Sequence, residues 1–356
     1  MRLRTAFGAV VLRVWRGKNP ADGRWGVPIR QRWALLPHQQ LSPALEDKLA
    51  YFATVTGTYE MAAQLARKVG VPIEDSTVRA LVQRLGARAE EQTQARLKTV
   101  PLPQTPLLSP HLLAVVMFDG CLLRQRGPGW GQKKTQEPRV LWCEQKVGVF
   151  YPHAPGGGAL TQKVVVSLQG EPVVLAERLH WEAMRQGLGR ALASLAVGDG
   201  APWIWHLVAG HWRKAHQVLD FYHASQHLHV LGEALHPRDE RQRQKWVARQ
   251  CHDLRHGREQ QVLRRLARLP AGRGAAKEII RREQNYFAGH AGRLNYEQTA
   301  ARGWPIGSGA VESACAGLQK RFKRPGQFWS QRGLRHLNGL IQAREHQHWD
   351  SLWLQN

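Results

Sequence analysis

Acidic residues are scarce in this chain. Asp and Glu total 27 against 51 Lys and Arg, a formal net charge of +24 over 356 residues. Self-repulsion of that size opposes a compact state unless a polyanion balances it. Nucleic acid is the leading candidate, because basic side chains release the counterions condensed on phosphate. A membrane surface is the weaker one, and it is weakened further by a second scarcity. No stretch approaches the roughly 18 apolar residues of a membrane-spanning helix. The first residues, MRLRTAFGAVVLRVW, resemble a signal peptide only weakly, since Arg13 interrupts the apolar run and no small-residue cleavage site follows. Cysteine is also rare. Cys121, Cys143, Cys251 and Cys315 are scattered with no CxxC pair, which argues against a zinc knuckle and more strongly against a disulfide framework. A reducing, cytoplasmic setting fits, next to the nucleoid if DNA is the partner. Internal repeats and low-complexity segments are absent.

What is present falls into five stretches. Residues 1–40 alternate short apolar runs with Gly, Pro and Arg, and AFGAVVLRVW and VPIRQRWALL read as strands. Residues 41–105 change period. Ser42-Pro43 should cap and open a helix over ALEDKLAYFA. Thr58 should cap a second, with Met61, Leu65 and Val69 as its apolar positions. After the turn Gly70–Glu74, Asp75 or Ser76 should cap a third, STVRALVQRLGARAEEQ. Two short helices around a Gly-containing turn describe a DNA-binding helix-turn-helix, with Arg79 and Arg84 on the reading helix. An ordinary helical hairpin is the alternative. The Pro-rich TVPLPQTPLLSP, 99–110, reads as a linker.

Residues 106–224 read as a mixed α/β domain, with strands ending at or near Asp119, Asp199 and Asp220 and a helix over EPVVLAERLHWEAMRQGLGRAL. Residues 225–300 are helical and dense in Arg, an insertion whose Arg241, Arg243, Lys245, Arg249, Arg264, Arg265 and Arg268 would face DNA phosphates or, more plainly, solvent. Residues 301–356 return to the α/β domain with a helix carrying Glu312, followed by Lys320, Arg321, Lys323 and Arg324 as further phosphate contacts.

Apolar strands that end in acids carry the chemistry. A carboxylate beside a core is costly unless something compensates it. One alone is a strand-end Asp-Gly turn. Asp119 and Asp199 together with Glu312, an isolated acid in a basic stretch, form a minimal oxygen-ligand set for hard cations. Phosphoryl transfer often uses two Mg2+ ions roughly 3.5–4 Å apart, one activating the attacking oxygen and the other stabilising the leaving one. Ser308 would cap the Glu312 helix. His223 and His227 lie four apart, a spacing zinc also uses, although no third ligand is evident. The fourteen Trp residues suit core packing for the most part, with one or two, such as Trp329, available to stack on an unpaired base.

In order, Asp119, GDGAPWIW, DFYHASQHL, PIGSGAVES and RFKRPGQFWS resemble the DDE transposases of bacterial insertion sequences, the ISKra-four group, over roughly residues 110–356. The resemblance implies a ribonuclease-H-like catalytic fold interrupted by an all-α insertion. It implies an Asp119, Asp199 and Glu312 triad holding two Mg2+ ions, with Mn2+ as a possible substitute. It assigns auxiliary places to Asp220 and His223. It implies cleavage of terminal inverted repeats and strand transfer into target DNA, by a homodimer or larger assembly. Gln226 stands where members often carry Glu, and the N-terminal cysteine cluster of many members is missing. Two other readings remain: a structure-selective nuclease on the same fold, and a domesticated DNA-binding protein that has no catalysis.

Overall fold

The computed structural model describes residues 1–20, 22–33, 35, 39–99, 106–154, 162–270, 272 and 274–353. In chain order they form β1 (Arg2–Thr5), β2 (Gly8–Val11), β3 (Gly17–Lys18), β4 (Trp25–Gly26), α1 (Pro28–Arg32), α2 (Pro43–Val55), α3 (Tyr59–Lys68) and α4 (Asp75–Thr99). Next come β5 (Leu113–Arg126), β6 (Val140–His153), β7 (Val164–Leu168), α5 (Pro172–Arg185), β8 (Ala193–Gly198), α6 (Pro202–His211) and β9 (His216–Leu219). The rest is helical: α7 (Phe221–Leu235), α8 (Glu240–Arg255), α9 (Glu259–Ala267), α10 (Ala275–Gly289), α11 (Tyr296–Ala301), α12 (Gly309–Phe322) and α13 (Gln331–Glu345).

Two compact units result. One gathers residues 1–99, 123–143 and 319–356; the other holds 100–122 and 144–318. These units cut across the partition read from sequence, which gave all of 301–356 to the catalytic domain. In the first unit α13 packs along α4. Their backbones meet at Gly86, where a Cβ would lie 2.3 Å from the carbonyl oxygen of His336. Ser42 Oγ accepts a hydrogen bond from Leu45 N and Thr58 Oγ1 accepts one from Met61 N, so both expected caps are in place. The buried face of α3 differs from expectation. Ala62, Ala63 and Ala66 are buried, whereas Met61, Leu65 and Val69 are exposed. Small side chains let α3 approach α2 and α4 closely, and the larger residues are turned outward. VPIRQRWALL is also not a strand: Pro28–Arg32 is helical, with Pro28 opening α1. Residues 34, 36–38 and the linker positions 100–105 lie outside the described residues.

The second unit is built on a mixed five-stranded sheet in the order β7-β6-β5-β8-β9. β5 and β8 are parallel, as are β8 and β9, while β7 runs antiparallel to β6. Leu113 to Phe118 are buried without interruption, the pattern of a central strand covered on both faces. Helix α5 packs on β7 and α6, contributing buried Leu175 and Leu179. Helices α7 to α11 pack together, with α8 and α10 against α7 and α9 joining both. This mixed α/β arrangement is compatible with the expected ribonuclease-H-like fold. One detail differs from the sequence reading. β5 does not stop at Asp119 but continues to Arg126, because the strand still has a partner in β6 after its parallel pairing with β8 ends at Phe118 opposite Gly198.

Candidate active site

Pairing places the carboxylates. Phe118 is opposite Gly198, and Gly198 is opposite Leu219. Asp119, Asp199 and Asp220 are the next residues on their strands, so all three stand at the same end of three adjacent strands. Apolar residues put each strand in the core, and each acid follows where the parallel pairing ends.

The three acids are used differently. Asp119 is half-buried, and its Oδ1 accepts a hydrogen bond from Gly120 N at 2.6 Å. Burial pushes its carboxyl above the usual range; the charge of Asp199 pushes the same way, while Gly120, the Cys315 thiol and His223 oppose the shift. Cys315 is buried on α12, one turn beyond Glu312, so that helix lies against the Asp119 strand. The thiol's own hydrogen bond to Cys121, with burial, pushes its pKa far up and keeps it protonated.

Asp199 Oδ1 accepts from Ala201 N at 2.9 Å, forming the turn that opens α6. Gly200 within it has φ +101, and a Cβ there would meet Tyr286 and His290 at 2.9 Å. Only glycine allows α10 so near. Tyr286 donates its hydroxyl to the backbone oxygen of Asp199 at 2.8 Å and stacks on His227 with ring centres 3.7 Å apart. His227 in turn pairs with fully buried Glu283. Burial raises the Glu283 pKa, but hydrogen bonds from His227 and Arg282 outweigh it and hold the carboxyl below its usual range. His227 is therefore engaged between α7 and α10. Neither Tyr286 nor Glu283 was evident from sequence, since an aromatic and an acid in an Arg-rich helix look like any solvated face.

Asp220 is fully buried. Its Oδ1 caps α7 by accepting from His223 N at 2.7 Å, and its Oδ2 accepts from Ser308 N. Both oxygens are thus bonded to backbone N–H groups, and Asp220 positions two elements. His223, half-buried on the first turn of α7, is near enough to Asp119 to act on its charge. Ser308 Oγ then donates to Glu312 Oε1 at 2.8 Å. A relay of contacts therefore runs from Asp220 through Ser308 to Glu312. Gly307 stands beside it, where a Cβ would come within 2.8 Å of the Tyr222 ring. Glu312 itself is exposed on the first turn of α12.

Among the described residues, no three His, Cys, Asp or Glu side chains stand gathered as a ready-made ligand set. Asp119 and Asp199 nonetheless suit a divalent cation. They are close enough for repulsion to raise the Asp119 pKa, and a cation removes that repulsion.

The expected DNA contacts divide into free and engaged groups. Arg79, Arg241, Lys245, Arg249, Arg264 and Arg268 are exposed. Arg243 reaches Glu240 at 3.8 Å. Arg84 pairs with Glu46 at 2.5 Å; burial raises the Glu46 pKa against the pull of that arginine. Arg265 donates to Gln250 and to Asp253. Arg321 donates to the carbonyls of Gly57 and Ala53, closing the end of α2, and its burial lowers its pKa to about 10. Lys320 and Arg324 are exposed, and Lys323 lies over the Trp142 ring. Trp329 is 9% exposed and donates Nε1–H to Phe322 O at 3.0 Å. An indole held in the packing this way has little surface to give to a base, in contrast to the stacking role expected for it.

The site is thus an α/β sheet with acids at the ends of its parallel strands. No family model matches the chain, and no curated protein matches it. Among solved structures it is similar to the Drosophila P element transposase strand transfer complex, with a TM-score of 0.40 and 10% identity, covering 84% of this chain and 92% of that one. No helix among the described residues is long and apolar enough to cross a membrane.

Proposed function

We propose that the chain is a DNA transposase of the DDE kind, and that Asp119, Asp199 and Glu312 hold divalent cations at the scissile phosphate. One observation carries this reading: two half-buried carboxylates repel one another at the ends of adjacent parallel strands in a chain of net charge +24. Mg2+, or Mn2+ in its place, would supply activation of the attacking oxygen and charge stabilisation of the leaving one. The protein's own part is positioning. Asp119 and Asp199 are fixed by their strands and turns. Ser308 orients Glu312, Asp220 holds the loop that carries Ser308, and His223 places a polar ring near Asp119. Water attack on the phosphate at the element's end would break its P–O3′ bond and free a 3′-hydroxyl; that hydroxyl would attack a target phosphate and displace the target strand's own 3′-oxygen, so each step forms one P–O bond and breaks one. Exposed basic residues of the insertion hold phosphates and fix register without reading bases. Recognition of terminal inverted repeats by residues 41–105, and assembly as a homodimer or larger oligomer, belong to the same proposal.

Incubation with a labelled DNA substrate carrying the element's ends, plus target DNA and Mg2+, tests it. Joined products, abolished in Asp119→Asn while gel-shift binding persists, are the expected result. Cleavage with no joining would make the protein a nuclease. Binding without either reaction would make it a DNA-binding protein.

A further inference from the structure

Large aromatic side chains stand in water at the start of the first unit. Phe7 is 99% exposed, Trp15 90% and Trp25 67%. None of the described residues from Arg4 to Arg30 is buried. The segment nevertheless folds into two hairpins. β1 pairs with β2, with Phe7 in the turn, and β3 pairs with β4 so that Lys18 lies directly opposite Trp25. An isolated two-stranded hairpin is marginal in water, and exposed apolar clusters mark surfaces that meet a partner.

The charge around the rings says which partner. Arg13, Arg16, Lys18 and Arg24 flank Trp15 and Trp25 along the chain, and Asp22 is the sole acid before Glu46. Asp22 is occupied in the turn, accepting from Arg24 N at 3.0 Å. Among the described residues, no carboxylate forms an ion pair with Arg13, Arg16, Lys18 or Arg24. Exposed rings interleaved with unpaired cations are what a single nucleic-acid strand binds: bases stack on the rings and phosphates meet the cations. Duplex DNA keeps its bases stacked on one another and meets only the cations.

We infer that the Trp15–Gly26 hairpin, with Phe7 beside it in sequence, binds an unpaired stretch of DNA. The inference rests on the nucleic-acid reading of this chain but not on its carboxylates. During cleavage and joining, the ends of a DNA substrate present unpaired strands, and this surface would hold one.

The experiment is anisotropy of labelled oligo-dT and of a duplex of equal length, with the full chain and with its Trp15→Ala, Trp25→Ala and Trp25→Phe variants. Each alanine variant should weaken oligo-dT binding by about tenfold, the scale of one base stack. Duplex affinity should stay within about twofold, and Trp25→Phe should retain most of the oligo-dT affinity. Unchanged melting temperature separates weakened stacking from impaired folding. Equal weakening on both DNAs, or none, would overturn the inference. So would a change of oligomeric state in sedimentation, which would give the rings to a second copy of the chain. Failure of the unaltered protein to bind either DNA would overturn the inference and the transposase reading together, whereas duplex binding without oligo-dT binding would overturn the inference alone.

Discussion

Asp220 accepts a hydrogen bond from the backbone N–H of Ser308, 88 residues further along the chain. Its other oxygen caps α7. One buried carboxylate thus fixes both the helix bearing His223 and the loop that leads to Glu312. Asp220→Asn replaces an accepting oxygen by an NH2 group facing an N–H. The expected cost is roughly 1–3 kcal/mol, read by denaturant unfolding. Cleavage should fall as well. A stable but inactive variant would give Asp220 a role at the phosphate itself.

Ser308→Ala removes the donor to Glu312 and leaves the backbone hydrogen bond to Asp220. Groups that orient a ligand are worth about 10–100-fold in activity or metal affinity. Cleavage should drop by that factor, with the deficit reduced at high Mg2+. Steady-state cleavage across a Mg2+ series checks it, and a deficit that is the same at every concentration would contradict it.

Asp119 bears on stability as well as chemistry. Its folded-state pKa lies above its unfolded value, chiefly through burial and then through Asp199. The unfolded chain therefore loses this proton first, and stability falls as pH rises between the two values. At neutral pH without metal, Asp119→Asn should melt higher, by on the order of 1–3 °C. Mg2+ should raise the melting temperature of the unaltered protein and have little effect on the variant. Scanning calorimetry with and without Mg2+ decides it.

Asp253 gives the opposite sign. Burial raises its pKa, but hydrogen bonds from Arg265 and Arg258 prevail and hold it low. Its contribution to stability is present above the unfolded pKa and disappears as pH falls through the folded one. Arg265→Ala should cost roughly 1–3 kcal/mol, with Arg258 still in place, and should flatten the fall in stability below about pH 4. Denaturant unfolding across that pH range measures both effects. Arg264→Ala, an exposed neighbour, should change stability little.

The proposed DNA binding should follow the same division. Replacing Arg241, Lys245, Arg249, Arg264 and Arg268 by Ala should lower affinity for end DNA and random DNA together. Each side chain that meets a phosphate should, when removed, flatten the salt dependence by about one unit of slope. Titration across a salt series measures it. A weakening confined to end DNA would mean that these helices read bases.

Asp119, Asp199 and Asp220 were legible because each follows an apolar run, and a strand that enters a core must leave it somewhere. The caps at Ser42 and Thr58 were legible for a similar reason, being local. The partners were not. Tyr286 reaches Asp199 across 87 positions, and no local pattern marks such a bond. Arg265 and Arg264 look alike in sequence; only the fold turns one toward Asp253. Periodicity misleads at α3, where Met61 and Leu65 carry the apolar signal but Ala62, Ala63 and Ala66 pack. Trp15 and Trp25 give no sign of their exposure, because indoles normally belong inside.

The bond between Asp220 and Ser308 also imposes an order in time. A chain made at roughly 5–20 residues per second needs about 4–18 seconds to extend from one to the other. Through that interval Asp220 has an unfilled acceptor and the loop to Glu312 does not exist. Shortened translation products that end before Ser308 would carry the basic helices without a completed site.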